Sequence, residues 1–160
     1  GNGGWIINVA SMAGMGGVPY SSAYAATKAA VVSMSESWAV ELKSHNIHVS
    51  VLCPAFVKTR IHESLRNLQD KYKTDKPVGD PKNLKAGFEK VSAMVESGIP
   101  AELLAKRVVE AIDHKQLYIF THPNYRDSIG LRAKALDNAF ADAQASPLVK
   151  HLIDDELVSL

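Results

Sequence analysis

Cysteine is almost missing from this sequence: Cys53 stands alone among 160 residues. One thiol excludes an internal disulfide framework and fits a reducing compartment. Cys53 closes an apolar run, so it reads as a buried, inert thiol rather than a nucleophile. Long apolar runs are missing too. No stretch approaches the ~18 consecutive apolar residues of a membrane span. The start has no succession of charge, apolar core and cleavage site of the kind that marks a secretory leader. The expectation is a cytoplasmic protein with no membrane partner. Charge of one sign is also lacking. The formal net charge is +1, which gives no general pull toward nucleic acid. The densest basic stretch, 70–85, is diluted by Asp70, Asp75 and Asp80. The histidines form no zinc signature, so no metal site is expected. His45, His48, His114 and His122 read as solvated turn residues. What remains, 46% hydrophobic and 22% charged, suits one globular domain with a sizeable core.

The informative stretch is Ser11 to Lys28, SMAGMGGVPYSSAYAATK. It holds a hydroxyl, a glycine-rich turn at Gly14, Gly16 and Gly17, and the start of a long helical pattern. Tyr24 and Lys28 stand at i and i+4, which puts them on one helix face. A lysine cation beside a phenol favours the phenolate. A phenol tuned that way can give or take a proton in catalysis. Upstream, Trp5 to Ala10 reads as a buried strand, with Ser11 at its carboxyl end. Downstream, Ile47 to Cys53 reads as a second strand, followed at once by Pro54-Ala-Phe-Val57-Lys-Thr59.

Between the strands a helix is expected from about Ser22 to Ser44, capped by Ser21 or Ser22 and ended by His45-Asn46. Val31, Met34, Trp38 and Leu42 make one apolar stripe on it, and Ala25, Ala29 and Val32 a second. Two apolar sides call for two partners, the sheet and either another helix or another subunit. Beyond the second strand two amphipathic segments are expected. Ile61, Leu65, Leu68 and Tyr72 carry the first; Leu84, Phe88, Val91 and Val95 carry the second. Lys73 to Pro81, between them, reads as a mobile lid loop. A helix after Pro100, with Leu104, Val108 and Ile112 on its apolar face, precedes a strand at Leu117–Thr121. A last helix is expected from about Asp127 to Gln144. The alternation is that of an α/β protein with parallel βαβ units.

This order of strand, serine, glycine turn, Tyr-x-x-x-Lys helix, strand and Pro-x-x-Val-x-Thr resembles the short-chain dehydrogenase/reductase family. The resemblance is strong from Gly3 to Thr59 and looser beyond. It implies the C-terminal part of a doubly wound, Rossmann-type parallel sheet, β-α-β-(helical lid)-α-β-α. Residues 1–146 would be the C-terminal half of an NAD(P)-binding catalytic domain, with a lid insertion at about 60–97, and 147–160 a tail. The implied activity is hydride exchange between a nicotinamide cofactor, NAD or NADP, and a secondary alcohol or ketone. Tyr24 would be the general acid/base. Lys28 would lower its pKa and bind the nicotinamide ribose. Ser11, thirteen positions before Tyr24, would hold the substrate oxygen. Pro54, Val57 and Thr59 would cradle the nicotinamide, although Thr59 also reads as a plain helix cap. Ala55 departs from the family's glycine, which questions the geometry of that turn. Tyr20, Ile61 and Phe88, with Leu65 and Met94, are candidates for the substrate pocket. The resemblance also implies a homodimer or homotetramer formed through helix 22–44.

The family's phosphate-binding Gly-x-x-x-Gly-x-Gly turn is not in this sequence. Gly14-Met-Gly16-Gly17 follows Ser11 and leads into a proline loop, so it is no substitute. The acidic or basic residue that selects NAD or NADP is absent as well. The chain begins with Gly1 and runs almost directly into a strand, so it reads as a piece of something longer. The expectation is a fragment inactive by itself. The rival reading is a non-catalytic remnant or interaction module that keeps the fold.

Overall fold

The computed structural model describes residues 2–72 and 81–156, apart from the side chains of Leu65 and of 81–84. Two compact units divide the chain, Gly1–His122 and Pro123–Leu160.

The first unit is built on a parallel three-stranded sheet in the order β1 (Gly4–Val9), β2 (Ile47–Cys53), β5 (Tyr118–Phe120). Gly4 lies opposite Ile47 and Val9 opposite Leu52, while Cys53 lies opposite Phe120. Strand β2 is central, and its last five residues are buried. Alternate side chains of a strand point to opposite faces. Val51 and Cys53 accordingly join Ala10 and Val32 in one cluster, under α1 (Ser22–Glu41). Leu52 joins Ile119 and Ala111 in another, under α3 (Ala101–Asp113), with Leu104 and Val108 against it. Val51 and Ile119 are fully buried, and each contributes roughly 1.5–3 kcal/mol from burial. The doubly wound α/β architecture is therefore present, with a helix on each face of the sheet.

Two serines are fully buried in this core, and both are hydrogen-bonded. Ser50 accepts from Trp5 Nε1 at 3.1 Å and donates to the Gln116 carbonyl at 2.7 Å. Ser35 accepts from Asn8 Nδ2 at 3.0 Å and donates to the Val31 carbonyl at 2.6 Å. The sheet-facing side of α1 is thus Ala25, Val32 and Ser35. The two expected stripes do not hold as drawn, because Ala29 and Met34 are exposed. Ser35 replaces an apolar contact there because Asn8 satisfies its hydroxyl. Ser21 occupies the helix N-cap, but its side chain makes no capping bond. At the other end α1 stops at Glu41, short of the expected Ser44, and a 3-10 turn at Lys43–His45 follows; Asn46 closes that turn in the left-handed conformation, φ 55, as its short polar side chain allows.

Three features depart from the sequence expectation. The amphipathic segment at 61–72 is not an α-helix but two 3-10 stretches, Ile61–Asn67 and Asp70–Tyr72, the first broken by non-helical dihedrals at Glu63. A second, two-stranded parallel sheet appears, β3 (Val57–Lys58) with β4 (Ile99–Pro100). In α2 (Pro81–Glu96) Val95 is buried, whereas Phe88 and Val91 stay about half exposed. The expected mobile loop, Lys73 to Pro81, falls almost wholly outside the described residues.

The second unit opens with a 3-10 turn, Pro123–Tyr125, and continues as α4 (Arg126–Ala145). That helix buries none of its residues, and Leu131, Leu136 and Phe140 are exposed. A 3-10 turn at Lys150–Leu152 follows. Among the described residues no helix is long and apolar enough to cross a membrane.

Candidate functional site

The carboxyl ends of β1 and β2 lie side by side, and the chemistry-bearing residues gather there. Ala10 continues the β1 ladder by donating to the Leu52 carbonyl at 2.8 Å. Ser11 then turns the chain out of the sheet. Its hydroxyl caps the 3-10 turn Met12–Gly14 by accepting from Ala13 N at 3.1 Å. Met12 N donates to the Pro54 carbonyl at 2.9 Å, and the Ser11 hydroxyl lies 3.5 Å from that same oxygen. The serine loop and the Pro54 loop are therefore tied together by main-chain bonds.

Helix α1 starts beside this junction. Gly14 explains how it gets so close. A Cβ at this position would stand 2.7 Å from the main-chain carbon and oxygen of Lys28, so only glycine lets the turn rest on the helix. Lys28 reaches back to the sheet, and its ammonium donates to the Val9 carbonyl at 3.0 Å. The same ammonium lies 5.8 Å from the centroid of the Tyr24 ring, within the range at which a cation and an aromatic ring attract. Tyr24 is about half exposed, and its main-chain carbonyl accepts from the Thr27 hydroxyl at 2.7 Å. Ser11 and Lys28 thus border one sheet end, linked through Val9, Gly14 and Pro54, and Tyr24 stands one helical turn before Lys28.

The Pro54-to-Thr59 segment runs from β2 into β3. Among the described residues the non-glycine positions with left-handed dihedrals are Tyr20, Asn46 and Lys115, and Ala55 is not one of them. The turn therefore has no need of the glycine found elsewhere in the resembling family. Val57 lies opposite Ile99 in the small sheet. Gly98 sits under this loop, where a Cβ would stand 2.6 Å from the main-chain carbon and oxygen of Phe56. Thr59 Oγ1 accepts from Ile61 N at 3.4 Å, a capping geometry for the 3-10 stretch that follows. Of the pocket candidates, Tyr20 is fully exposed at φ 60, Ile61 is exposed, and Phe88 and Met94 are partly exposed. They are not gathered into a described cavity. Leu65 has no described side chain.

Sequence reasoning missed one residue here. His122, expected as a solvated turn, is half-buried. Its Nδ1 lies 3.3 Å from Ala55 N and its Nε2 lies 3.2 Å from the Phe56 carbonyl. Thr121 Oγ1 lies 2.7 Å from the same Nδ1. His48 is likewise no solvated turn, since its ring stacks on Trp5 at 4.5 Å. No local signal marked either, because their partners are distant in sequence or on the neighbouring strand. Cys53 is buried, and burial pushes its thiol up to about 11, as expected of an inert core cysteine. Among the described residues no group of three or more His, Cys, Asp or Glu is placed to hold a metal.

A family model described as short chain dehydrogenase matches residues 1–70. A CLA biosynthesis dehydrogenase/reductase of Lactiplantibacillus plantarum is 35% identical over 135 residues, covering 82% of this chain and 47% of that protein. A C alpha-dehydrogenase of Sphingobium sp. is 27% identical over 144 residues, covering 90% of this chain and 46% of that protein. Among solved structures, a short chain dehydrogenase/reductase from Burkholderia phymatum in complex with NAD superposes with a TM-score of 0.76 at 31% identity, over 84% of this chain and 48% of that one. The chain spans about half the length of the curated relatives it matches.

Proposed function

The chain belongs to the short-chain dehydrogenase/reductase family, and from that premise we propose that it is the C-terminal half of an NAD(P)-dependent oxidoreductase acting on a secondary alcohol or ketone. The observation that carries this reading is the placement of Ser11 and Lys28 at the carboxyl end of β1, where ligands bind in open parallel α/β sheets, with the Lys28 ammonium over the Tyr24 ring. On this reading residues 1–146 belong to the catalytic domain, with a lid at about 60–97, and 147–160 form a tail.

The residues present fit the nicotinamide end of a dinucleotide. An ammonium carries three donors, and the Lys28–Val9 bond uses one of them, which leaves others for a ribose hydroxyl. Pro54 follows β2 at the same sheet end, and Val57 and Thr59 come on and just after β3, with main-chain groups and one hydroxyl to offer. For the pyrophosphate the chain has no phosphate-cradling glycine turn, so that function falls to the other half. A bound NAD(P) supplies or accepts the hydride. The chain's own residues handle the oxygen and its proton. Ser11 hydrogen-bonds the substrate oxygen and holds it beside Tyr24. In reduction, Tyr24 gives its phenolic proton to the developing alkoxide; in oxidation, it takes the proton back. Lys28 stands close by, its ammonium 5.8 Å from the centroid of the Tyr24 ring. The choice between NAD and NADP lies with the half not in this sequence.

Tyr24→Phe in the complete protein tests the reading. General acid/base groups contribute roughly 10²–10⁴-fold, and a loss of that size in carbonyl reduction is expected. Undiminished turnover would end the assignment and favour the non-catalytic module. The reading also includes a homodimer or homotetramer through α1, whose outer side carries the exposed residues Ala26, Ala30, Ser33 and Val40. Val40→Asp is expected to shift sedimentation to smaller species, and an unchanged oligomer would argue against this face.

A further inference from the structure

His122 stands where two parallel strands release their chains together. Cys53 and Phe120 are register partners at the ends of β2 and β5, so residues 54–56 and 121–122 leave the sheet side by side. The imidazole spans that gap. One ring nitrogen faces a main-chain N–H, which can only donate, and the other faces a carbonyl, which can only accept. Two bonds of that kind fix the ring. Nδ1 must accept from Ala55 N at 3.3 Å, and Nε2 must donate to the Phe56 carbonyl at 3.2 Å. The tautomer is therefore the neutral one protonated on Nε2. The Thr121 hydroxyl, 2.7 Å from Nδ1, donates to the same lone pair.

The Phe56 carbonyl is gripped from its other side as well. Ile99 N donates to it at 3.1 Å, and Gly98 packs against the Phe56 main chain. The segment leading to Val57 and Thr59 is thus held from β5 by a side chain and from β4 by the backbone. We propose that His122 is a positioning residue for the nicotinamide-facing loop: it sets the path of Ala55 and Phe56, and through them the placement of Val57 and Thr59. This rests on the reading of Pro54–Thr59 as the cofactor cradle. His122 itself touches neither cofactor nor substrate in this role.

The test uses the complete protein that contains this chain, with His122→Ala and His122→Asn. In the unmutated protein, nitrogen–proton correlation of the histidine side chains is expected to show His122 protonated on Nε2. Protonation on Nδ1 would overturn the proposal without any variant. Without nucleotide, hydrogen exchange at Ala55 is expected to quicken about 10-fold in His122→Ala, the scale of one lost hydrogen bond. The Asn variant, whose oxygen can take the place of Nδ1, is expected to recover part of that protection. Unchanged exchange in His122→Ala refutes the contact. Fluorescence titration with NADH and with NADPH is then expected to show weaker binding by about 10-fold in His122→Ala, with kcat at saturating nucleotide changed far less. If Ala55 exchange responds and nucleotide affinity does not, the histidine is a rivet of the fold and the positioning role is refuted. If the unmutated protein binds neither nucleotide, the functional reading fails and the positioning role with it. The tautomer and exchange results would then still report the hydrogen bonds separately.

Discussion

Gly14 and Lys28 are in main-chain contact: a methyl group on Gly14 would stand 2.7 Å from both the carbonyl carbon and the carbonyl oxygen of Lys28. The contact joins the turn after Ser11 to the helix that carries Tyr24. The obstacle is backbone, which cannot swing aside as a side chain does. Gly14→Ala must therefore push turn and helix apart. Overpacking of this kind costs roughly 1–3 kcal/mol. We expect a lower denaturant midpoint and a fall in turnover together, since the shift separates Ser11 from Tyr24. A stable variant with full activity would show that the turn can move without consequence for the chemistry.

The Tyr118 hydroxyl donates to Glu36 at 2.5 Å. That bond, with some burial, raises the phenol to about 12. The folded protein then holds this proton more tightly than the unfolded chain, whose tyrosines titrate near ~10. The stabilisation is fully present below ~10 and is lost as pH rises through about 12. Cys53, raised to about 11 from 9.0 by burial, adds a loss of the same sign from a lower starting pH. Tyr118→Phe should leave the Cys53 part intact and flatten the decline between pH 10 and 12. Chemical denaturation across that range measures it, and identical slopes in parent and variant would count against the Glu36 bond.

Among the described residues β1 pairs with β2 alone, and Val9 at its end is 57% exposed. An unpaired strand edge is a template for association. The 160 residues expressed by themselves are expected to self-associate, to bind NADH or NADPH very weakly and to turn over no ketone. Sedimentation velocity over a range of concentrations checks the first point. A concentration-independent, active monomer would mean that this edge is covered by groups other than those described here.

The residues legible in the sequence were those whose meaning is local. Tyr24 and Lys28 share a helix face by spacing alone. Trp5–Val9 and Ile47–Cys53 announce themselves by β-branched, apolar composition. Asn46 takes the left-handed cap that its residue type foretells, although it closes the 3-10 turn Lys43–His45 rather than α1, which ends at Glu41. What stayed hidden depends on distant partners. The β3–β4 pair has two residues per strand, one of them Pro100, and so carries no periodic signal. The run Ile61, Leu65, Leu68, Tyr72 has helical spacing, yet the chain there forms 3-10 turns, with Arg60 and Arg66 both within salt-bridge distance of Glu63. His122 finds Ala55 and Phe56 67 and 66 residues away in the chain, and no windowed pattern reaches that far. Ser35 interrupts an apolar stripe for a reason that lies in Asn8, on another element.

The pairing of Val57 with Ile99 brings the two ends of the intervening stretch to strand spacing, about 4.8 Å apart. Whatever lies between is plugged into a fixed socket. Loop-closure cost grows slowly, by only about 0.6 kcal/mol for each doubling of length, so the socket is indifferent to the size of its insert. Grafts between Thr59 and Gly98 should leave the denaturant midpoint of the sheet body nearly unchanged, provided that Gly98 and the buried Val95 are kept. This makes the fold an interchangeable-part design: one cassette can be exchanged, by divergence or in a library, while the β1–β2–β5 sheet keeps its register.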